Sequence, residues 1–219
     1  MERKEYRKRL CITNIAIYKN NNKRVDYWDN IERNILDLIN NAPESNEDAY
    51  ILYAKYYYER QYYEEAIRYF WYILDNCPNK KEQCLYGLMK SYIMQKDYYN
   101  ALECLNSLIE EMVNNKREDV ADFGLVEALL AYLNEYDVDI ETDPTTYLYS
   151  KFEDEFIIKK YSELLDFVIG EDFSNAQTKA RELGAYRKDK SLEIDFLPLY
   201  SLINACVKKQ KQNMALELK

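Results

Sequence analysis

The sequence contains no histidine, only four glycines and four prolines, and no long uninterrupted apolar run. The absence of histidine removes the commonest general base and the commonest metal ligand, and it excludes Ser–His and Cys–His nucleophile arrangements. The glycines are too far apart to form a glycine-rich phosphate-binding loop. Few glycines and prolines also argue against the many turns of a sheet protein, so we predict an all-α protein. We expect neither enzymatic activity nor a metal or other cofactor.

The five cysteines form an odd and scattered set. The chain has no signal-peptide pattern and no stretch near the roughly 18 apolar residues of a membrane span, so we expect a cytoplasmic protein with reduced thiols and no membrane contact. Cys77 and Cys84 flank a short loop and could be a metal or redox pair. We favour two small hydrophobic residues, because zinc takes four ligands and only cysteines and carboxylates are present.

The net charge of −9 is concentrated in residues 118–172, which contain 16 acidic and three basic side chains. This segment repels a phosphate backbone, and we expect no nucleic-acid partner. Four acidic residues alternate there: Asp137, Asp139, Glu141 and Asp143. A calcium-binding EF-hand would need glycine and glutamate where Thr142 and Leu148 stand, so a solvated acidic loop is favoured. Glu2 and Glu5 dilute the basic start at residues 3–9, which favours a solvated first helix.

A shift of 35 residues aligns the middle of the chain with itself. The matched pairs are Tyr53 with Leu88, Tyr57 with Tyr92, Tyr63 with Tyr98, Ala66 with Ala101, Phe70 with Leu105 and Ile73 with Leu108. Ala66 and Ala101 are small residues among bulky neighbours, as two closely approaching helices require. Each helical hairpin has apolar residues on more than one face, so it must stack on its neighbours to be stable.

The pattern resembles the tetratricopeptide repeat family strongly over residues 47–81 and 82–114. It carries Tyr50, Tyr53, Ala54, Tyr57, Ala66, Phe70 and Pro78 in the first unit, and Leu85, Leu88, Met89, Tyr92, Ala101 and Leu105, without the closing proline, in the second. The resemblance implies a right-handed superhelical solenoid of antiparallel helix pairs, with about ten or eleven helices in a single domain, 1–219. Residues 1–46 would form a degenerate first pair, 115–190 degenerate repeats and 191–219 a terminal helix.

Weaker copies of the unit extend in both directions. Ile31, Ile35, Leu38 and Pro43 predict the second helix of an earlier pair. Amphipathic spacing predicts a helix over 120–133 and another over 156–169, and Asp172-Phe173 with Ala176, Ala180 and Leu183 predicts a second helix after it. The last helix is expected at 196–207, and the interruption of the array at 135–144.

The resemblance also implies that the first helix of each pair lines a concave groove. The groove-facing positions we select are Ile51, Lys55, Tyr58, Tyr86, Lys90, Ile93 and Met94. Lys55 and Lys90 are equivalent, and with the aromatic and apolar residues they suit an extended or helical peptide carrying acidic groups. Two ordinary solvated lysines are the alternative. The clamp by which some family members hold the terminal carboxylate of chaperone tails is absent, since Ile51 and Gly87 occupy two of its polar places.

We therefore expect a protein-interaction scaffold that binds a peptide or partner helix. The alternative is a regulatory or sensor module for a small signalling ligand or peptide, as part of a larger protein or complex, and a homodimer also remains open. Trp71 and Tyr72 lie one turn from the packing positions of their helix. We expect their rings to complete the core between repeats; if exposed, they would form a second apolar patch.

Overall fold

The computed structural model describes residues 2–19, 25–42, 47–115, 123–135, 155–190 and 197–217. Within these ranges every regular element is helical and no strand is present, which confirms the all-α prediction. The ten α-helices are α1 (Arg3–Lys19), α2 (Val25–Asn40), α3 (Glu47–Glu59), α4 (Tyr63–Asn76), α5 (Lys81–Gln95), α6 (Tyr98–Asn114), α7 (Gly124–Asn134), α8 (Glu155–Ile169), α9 (Phe173–Lys190) and α10 (Leu197–Glu217). A short 3₁₀ turn, Pro78–Lys80, precedes α5.

The chain divides into two compact units, Met1–Gln95 and Lys96–Lys219. In the first unit each helix packs against the next one along the chain. In addition, α1 contacts α3, and α3 contacts α5. The first helices of successive pairs therefore lie side by side in this unit, as the repeat pattern requires.

A tyrosine-rich core joins α2 to α3. The ring of Trp28 meets the ring of Tyr56 edge-on, with 5.6 Å between ring centroids. The Tyr53 hydroxyl donates a hydrogen bond of 2.9 Å to the Glu32 carboxylate, and the Tyr57 hydroxyl donates one of 3.1 Å to Tyr53. Burial, together with these neighbours, raises the pKa of Tyr53, so its hydroxyl stays protonated and acts as a donor. Tyr53 and Tyr57 thus place their rings in or against the core while their hydroxyls form hydrogen bonds.

Close approach of backbones holds α3, α4 and α5 together. Ala66 on α4 is fully buried, and Phe70, one turn later, is 3% exposed. The Phe70 ring lies against Gly87 on α5 so closely that a Cβ atom added there would stand 2.3 Å from the ring. An alanine methyl at this contact would overlap the ring, so the buried Phe70 side chain would have to move to admit it.

The same backbone joint follows four of the described helices: α3, α5, α7 and α8. One non-glycine residue adopts a left-handed conformation at each joint: Gln61 (φ 65°), Lys96 (φ 64°), Glu135 (φ 62°) and Glu171 (φ 53°). The following residues cap the second helix in two of these joints. Asp97 and Asp172 each accept a 3.2 Å hydrogen bond from the backbone N–H three residues later. Recurrence of one joint along the chain is the backbone signature of a repeated hairpin.

In the second unit α8 packs against α9, and α10 packs against both α9 and α7. Phe173, Ala176 and Leu183 are buried on α9, as the sequence pattern predicts. The Lys209 ammonium on α10 donates hydrogen bonds to the Tyr132 and Leu133 carbonyls at 2.8 and 3.2 Å. It thereby satisfies carbonyl groups at the C-terminal end of α7.

The helix bounds differ from the sequence predictions mainly in length. Helix α7 is described from Gly124, and its predicted start at Val120 lies outside the described residues. Helix α8 begins one residue before the predicted start, and α10 continues to Glu217, ten residues beyond the predicted end. Pro43 and the acidic loop at 137–143 also lie outside the described residues.

The prediction that Trp71 and Tyr72 are buried is wrong. Their side chains are 41% and 49% exposed. Each ring is nevertheless held from one side: the Trp71 indole N–H donates to the Tyr92 hydroxyl at 3.1 Å, and the Tyr72 ring meets Tyr50 edge-on. An amphipathic ring can pack half-buried in this way, so helical spacing alone does not decide its burial.

We predict that Ala66→Leu destabilises the protein by about 1–3 kcal/mol, because the site has no spare volume for a branched side chain. Thermal melting and urea denaturation measure the loss. The matched control is Arg68→Leu on the same helix, where the side chain is 72% exposed. An Ala66→Leu variant as stable as this control would contradict the close packing of α4.

Four charged groups form a closed ring of ion pairs between α8 and α9. Lys160 lies 3.3 Å from Glu163 and 2.9 Å from Glu182, while Lys179 lies 2.9 Å from Glu163 and 3.4 Å from Glu182. These lysines lower the pKa of both glutamates, through hydrogen bonds first of all. A carboxylate whose pKa is lower in the folded state stabilises the fold above its unfolded pKa and loses that effect as the pH falls.

We therefore predict that the double variant Glu163→Gln/Glu182→Gln melts below wild type at neutral pH. The difference should shrink as the pH falls from about 5, where glutamates begin to take up protons. It should also shrink at high salt, which screens half-exposed pairs. Melting curves measured against pH provide the test, and a difference independent of pH would contradict the electrostatic origin.

Candidate functional site

All seven predicted groove residues lie in the first unit, on two helices that pack against each other. Helix α3 carries Ile51, Lys55 and Tyr58, and α5 carries Tyr86, Lys90, Ile93 and Met94. Because α3 and α5 are neighbours, residues 35 positions apart lie close in space. The structure brings the two lysines together with Tyr58 and Tyr86; we call these four residues the lysine cluster.

The seven residues differ in depth. Ile51, Tyr58 and Ile93 are buried, with at most 7% of their surface exposed. Lys55, Lys90 and Met94 are half-buried, and Tyr86 is 38% exposed. The buried residues thus form an apolar floor, and the other four remain accessible to a ligand.

Lys90 lies over two aromatic rings. Its ammonium nitrogen is 4.5 Å from the centroid of the Tyr58 ring and 5.0 Å from that of the Tyr86 ring. Both distances fall within the range of cation–π attraction. The Tyr58 ring is itself held edge-on against Tyr63, with 5.6 Å between centroids. The cation therefore rests between one buried ring and one accessible ring.

Lys55 has a different environment. Burial lowers the pKa of its ammonium, and repulsion from Lys90 lowers it further. The charge of Asp48 raises the pKa of Lys55, and the charge of Lys80 lowers it. However, Asp48 already forms an ion pair of 2.5 Å with Lys80. Among the residues that the structure describes, none forms a hydrogen bond, ion pair or ring contact with Lys55.

This arrangement is suited to attract an anion. The charged groups that act on Lys55 are two ammonium groups and one carboxylate, and the carboxylate is engaged by Lys80 of the 3₁₀ turn. A half-buried cation with a cationic neighbour is stabilised by any carboxylate that reaches it. Tyr86 and Met94 offer flat apolar contact beside it.

Sequence reasoning missed Lys80. This residue belongs to the 3₁₀ turn between the two repeat units, outside the helical positions that the repeat pattern assigns to the groove. Its ion pair with Asp48 depends on how that turn closes, which the spacing of residues does not reveal. Sequence reasoning also treated Lys55 and Lys90 as equivalent, whereas only Lys90 lies over aromatic rings in the described structure.

The neighbouring thiols are buried. Cys77 and Cys84 are 9% and 0% exposed. Burial raises the pKa of both thiols, that of Cys84 to about 12, so both remain protonated at neutral pH. The described part of the chain contains no group of three or more cysteine or carboxylate side chains placed to hold a metal ion.

Comparison of the chain with protein-family models, with curated proteins and with solved structures finds no match in any of the three. Each helix in the described ranges is too short or too polar to cross a lipid bilayer.

We predict that Asp48→Asn lowers the pKa of Lys55 further, since the carboxylate at position 48 is the one group found to raise it. The measurement is an NMR pH titration of the lysine ε-carbon signals. Asp75→Asn, an exposed change on α4 with the same loss of charge, is the control. An unchanged Lys55 titration in Asp48→Asn would contradict the charge arrangement described above.

Proposed function

We propose that this protein is a tetratricopeptide-like interaction scaffold, in which stacked helix pairs form a right-handed superhelical solenoid. Its groove binds a peptide or partner helix that carries acidic groups. The support for the repeat is that equivalent residues share their burial: Ala66 and Ala101 are both fully buried, and Phe70 and Leu105 are both buried one turn later. The joints before them have the same left-handed residue, at Gln61 and Lys96.

The observation that carries the binding proposal is the lysine cluster. Lys55 lies on α3 and Lys90 on α5, the first helices of successive pairs. Their ammonium groups are close enough that the charge of Lys90 lowers the pKa of Lys55. Like charges brought together repel each other, so the arrangement gains most when an anion is bound. An acidic side chain of a partner supplies that anion.

The surroundings favour a peptide over an isolated anion. Tyr86 is exposed and lies against the Lys90 ammonium, and Met94 is half-buried on the same helix. Aromatic and methionine side chains give apolar contact to the residues that flank an acidic one. Helices present no free backbone edge, so side chains at these positions would set the specificity.

We predict that Lys55→Glu/Lys90→Glu abolishes partner binding while helicity is retained. Affinity co-purification from the native cell, read by mass spectrometry, compares wild type with this variant. The control is Lys4→Glu/Lys8→Glu, which makes the same change of charge at two exposed positions of α1. We expect the partner with wild type and control, and not with the groove variant; circular dichroism checks the fold of all three.

A partner recovered equally with the groove variant would place the binding surface elsewhere and overturn the proposal. A partner lost equally from the groove variant and the control would show dependence on net charge alone, which also contradicts a specific groove. If no bait recovers a protein, a small signalling ligand becomes the better proposal. A thermal shift on addition of candidate peptides or metabolites then tests it, since a ligand of the folded state stabilises it by mass action.

A further inference from the structure

We infer that the two lysines have unequal roles: Lys55 is the anchor that pairs with a carboxylate of the partner, and Lys90 supports it from its place on the tyrosine rings. The ligand class is a peptide whose glutamate or aspartate side chain enters between the two ammonium groups. This inference rests on the proposed peptide-binding function and adds which residue recognises the acid.

The two lysines are assigned unequal roles because their ammonium groups have different contacts within the protein. Lys90 has two aromatic rings within 5.0 Å, and cation–π attraction compensates part of its lost hydration. Lys55 is half-buried, and no described residue gives it a ring, a hydrogen bond or an ion pair. A buried or half-buried charge without a partner is unfavourable. Lys55 therefore gains more than Lys90 when a carboxylate arrives.

Asp48 is the carboxylate that acts on the charge of Lys55 in the described structure, and it already has another partner. Asp48 lies on the same helix as Lys55 and acts on its charge, but its oxygen is 2.5 Å from the Lys80 ammonium. The ion pair with Lys80 holds Asp48 away from full pairing with Lys55. Among the residues that the structure describes, no other carboxylate acts on the charge of Lys55.

The charged groups that face Lys55 determine the sign of the pH dependence. They are Lys90 on α5, Asp48 on α3 and Lys80 on the 3₁₀ turn. A bound carboxylate raises the pKa of Lys55 back toward its ordinary value. Binding is therefore accompanied by proton uptake at alkaline pH, and it weakens as the pH rises through the lowered pKa of free Lys55.

The test uses the full chain labelled at its lysine ε-carbons and a blocked tetra-glutamate peptide, with NMR as the readout. Titration with the peptide should shift the Lys55 signal in a saturable way and raise its pKa, while exposed Lys8 on α1 shows only a small, non-saturating change. A blocked tetra-glutamine peptide is the uncharged control, and it shows how much of the Lys55 shift comes from peptide contact alone. Inorganic phosphate reports a free anion, and it should shift Lys55 less than the acidic peptide does.

Variants separate the two lysines. Lys55→Met should weaken binding of the tetra-glutamate peptide by about tenfold or more, as expected for loss of a charge-assisted hydrogen bond. Lys90→Met should weaken it by a smaller factor, and Lys8→Met should leave it unchanged. Asp48→Asn should tighten binding, because it removes the one carboxylate that competes for Lys55. Lys55→Gln repeats the test with a polar replacement if the methionine variant melts at lower temperature.

Equal losses in Lys55→Met and Lys90→Met would overturn the inference while leaving peptide binding in the groove intact. Lys55 signals that respond no more than those of Lys8 would overturn it as well. A stronger response to phosphate than to the acidic peptide would overturn the assignment to a peptide carboxylate. The proposed function fails separately, when the groove variant in the co-purification retains its partner.

Discussion

The contact between Phe70 and Gly87 determines the geometry of the first unit. The ring of Phe70 occupies the place that any side chain at position 87 would need. Because of this contact α4 lies directly on the backbone of α5, and α5 can then reach α3 on the other side of the pair. The side-by-side arrangement of α3 and α5 in turn brings Lys55 and Lys90 together. A packing constraint between apolar groups thus creates the electrostatic feature on the surface.

Much of this helical architecture could be predicted from residue spacing. Ala66 and Ala101 were recognisable because a small residue among large ones marks a close helix contact, and both are fully buried. The burial of Trp71 and Tyr72 could not be predicted, because a ring with a polar edge is stable when half-exposed. The end of α10 could not be predicted either: the side chains at 211–216 are all exposed, so no apolar pattern marks that part of the helix.

The candidate site was predictable in its composition and not in its electrostatics. Equal positions in two repeat units predict that Lys55 and Lys90 are neighbours, and in the structure their charges act on each other while Lys90 lies over Tyr58 and Tyr86. The difference between the lysines depends on which side-chain conformation each adopts. The engagement of Asp48 depends on Lys80, a residue of the connecting turn. Both features arise from three-dimensional placement, which sequence periodicity does not encode.

The lysine cluster runs against what stability alone would favour. Two other polar clusters of the described residues are paired: the Tyr53 hydroxyl donates to Glu32 and accepts from Tyr57, and the four charges between α8 and α9 neutralise one another. At Lys55 the charge of a half-buried ammonium is opposed by that of Lys90, while Asp48, the carboxylate that acts on it, forms an ion pair with Lys80. Sequences that satisfy local rules throughout tend to break them where a ligand is bound. We account for this exception by treating the charge at Lys55 as half of an ion pair that a partner's carboxylate would complete.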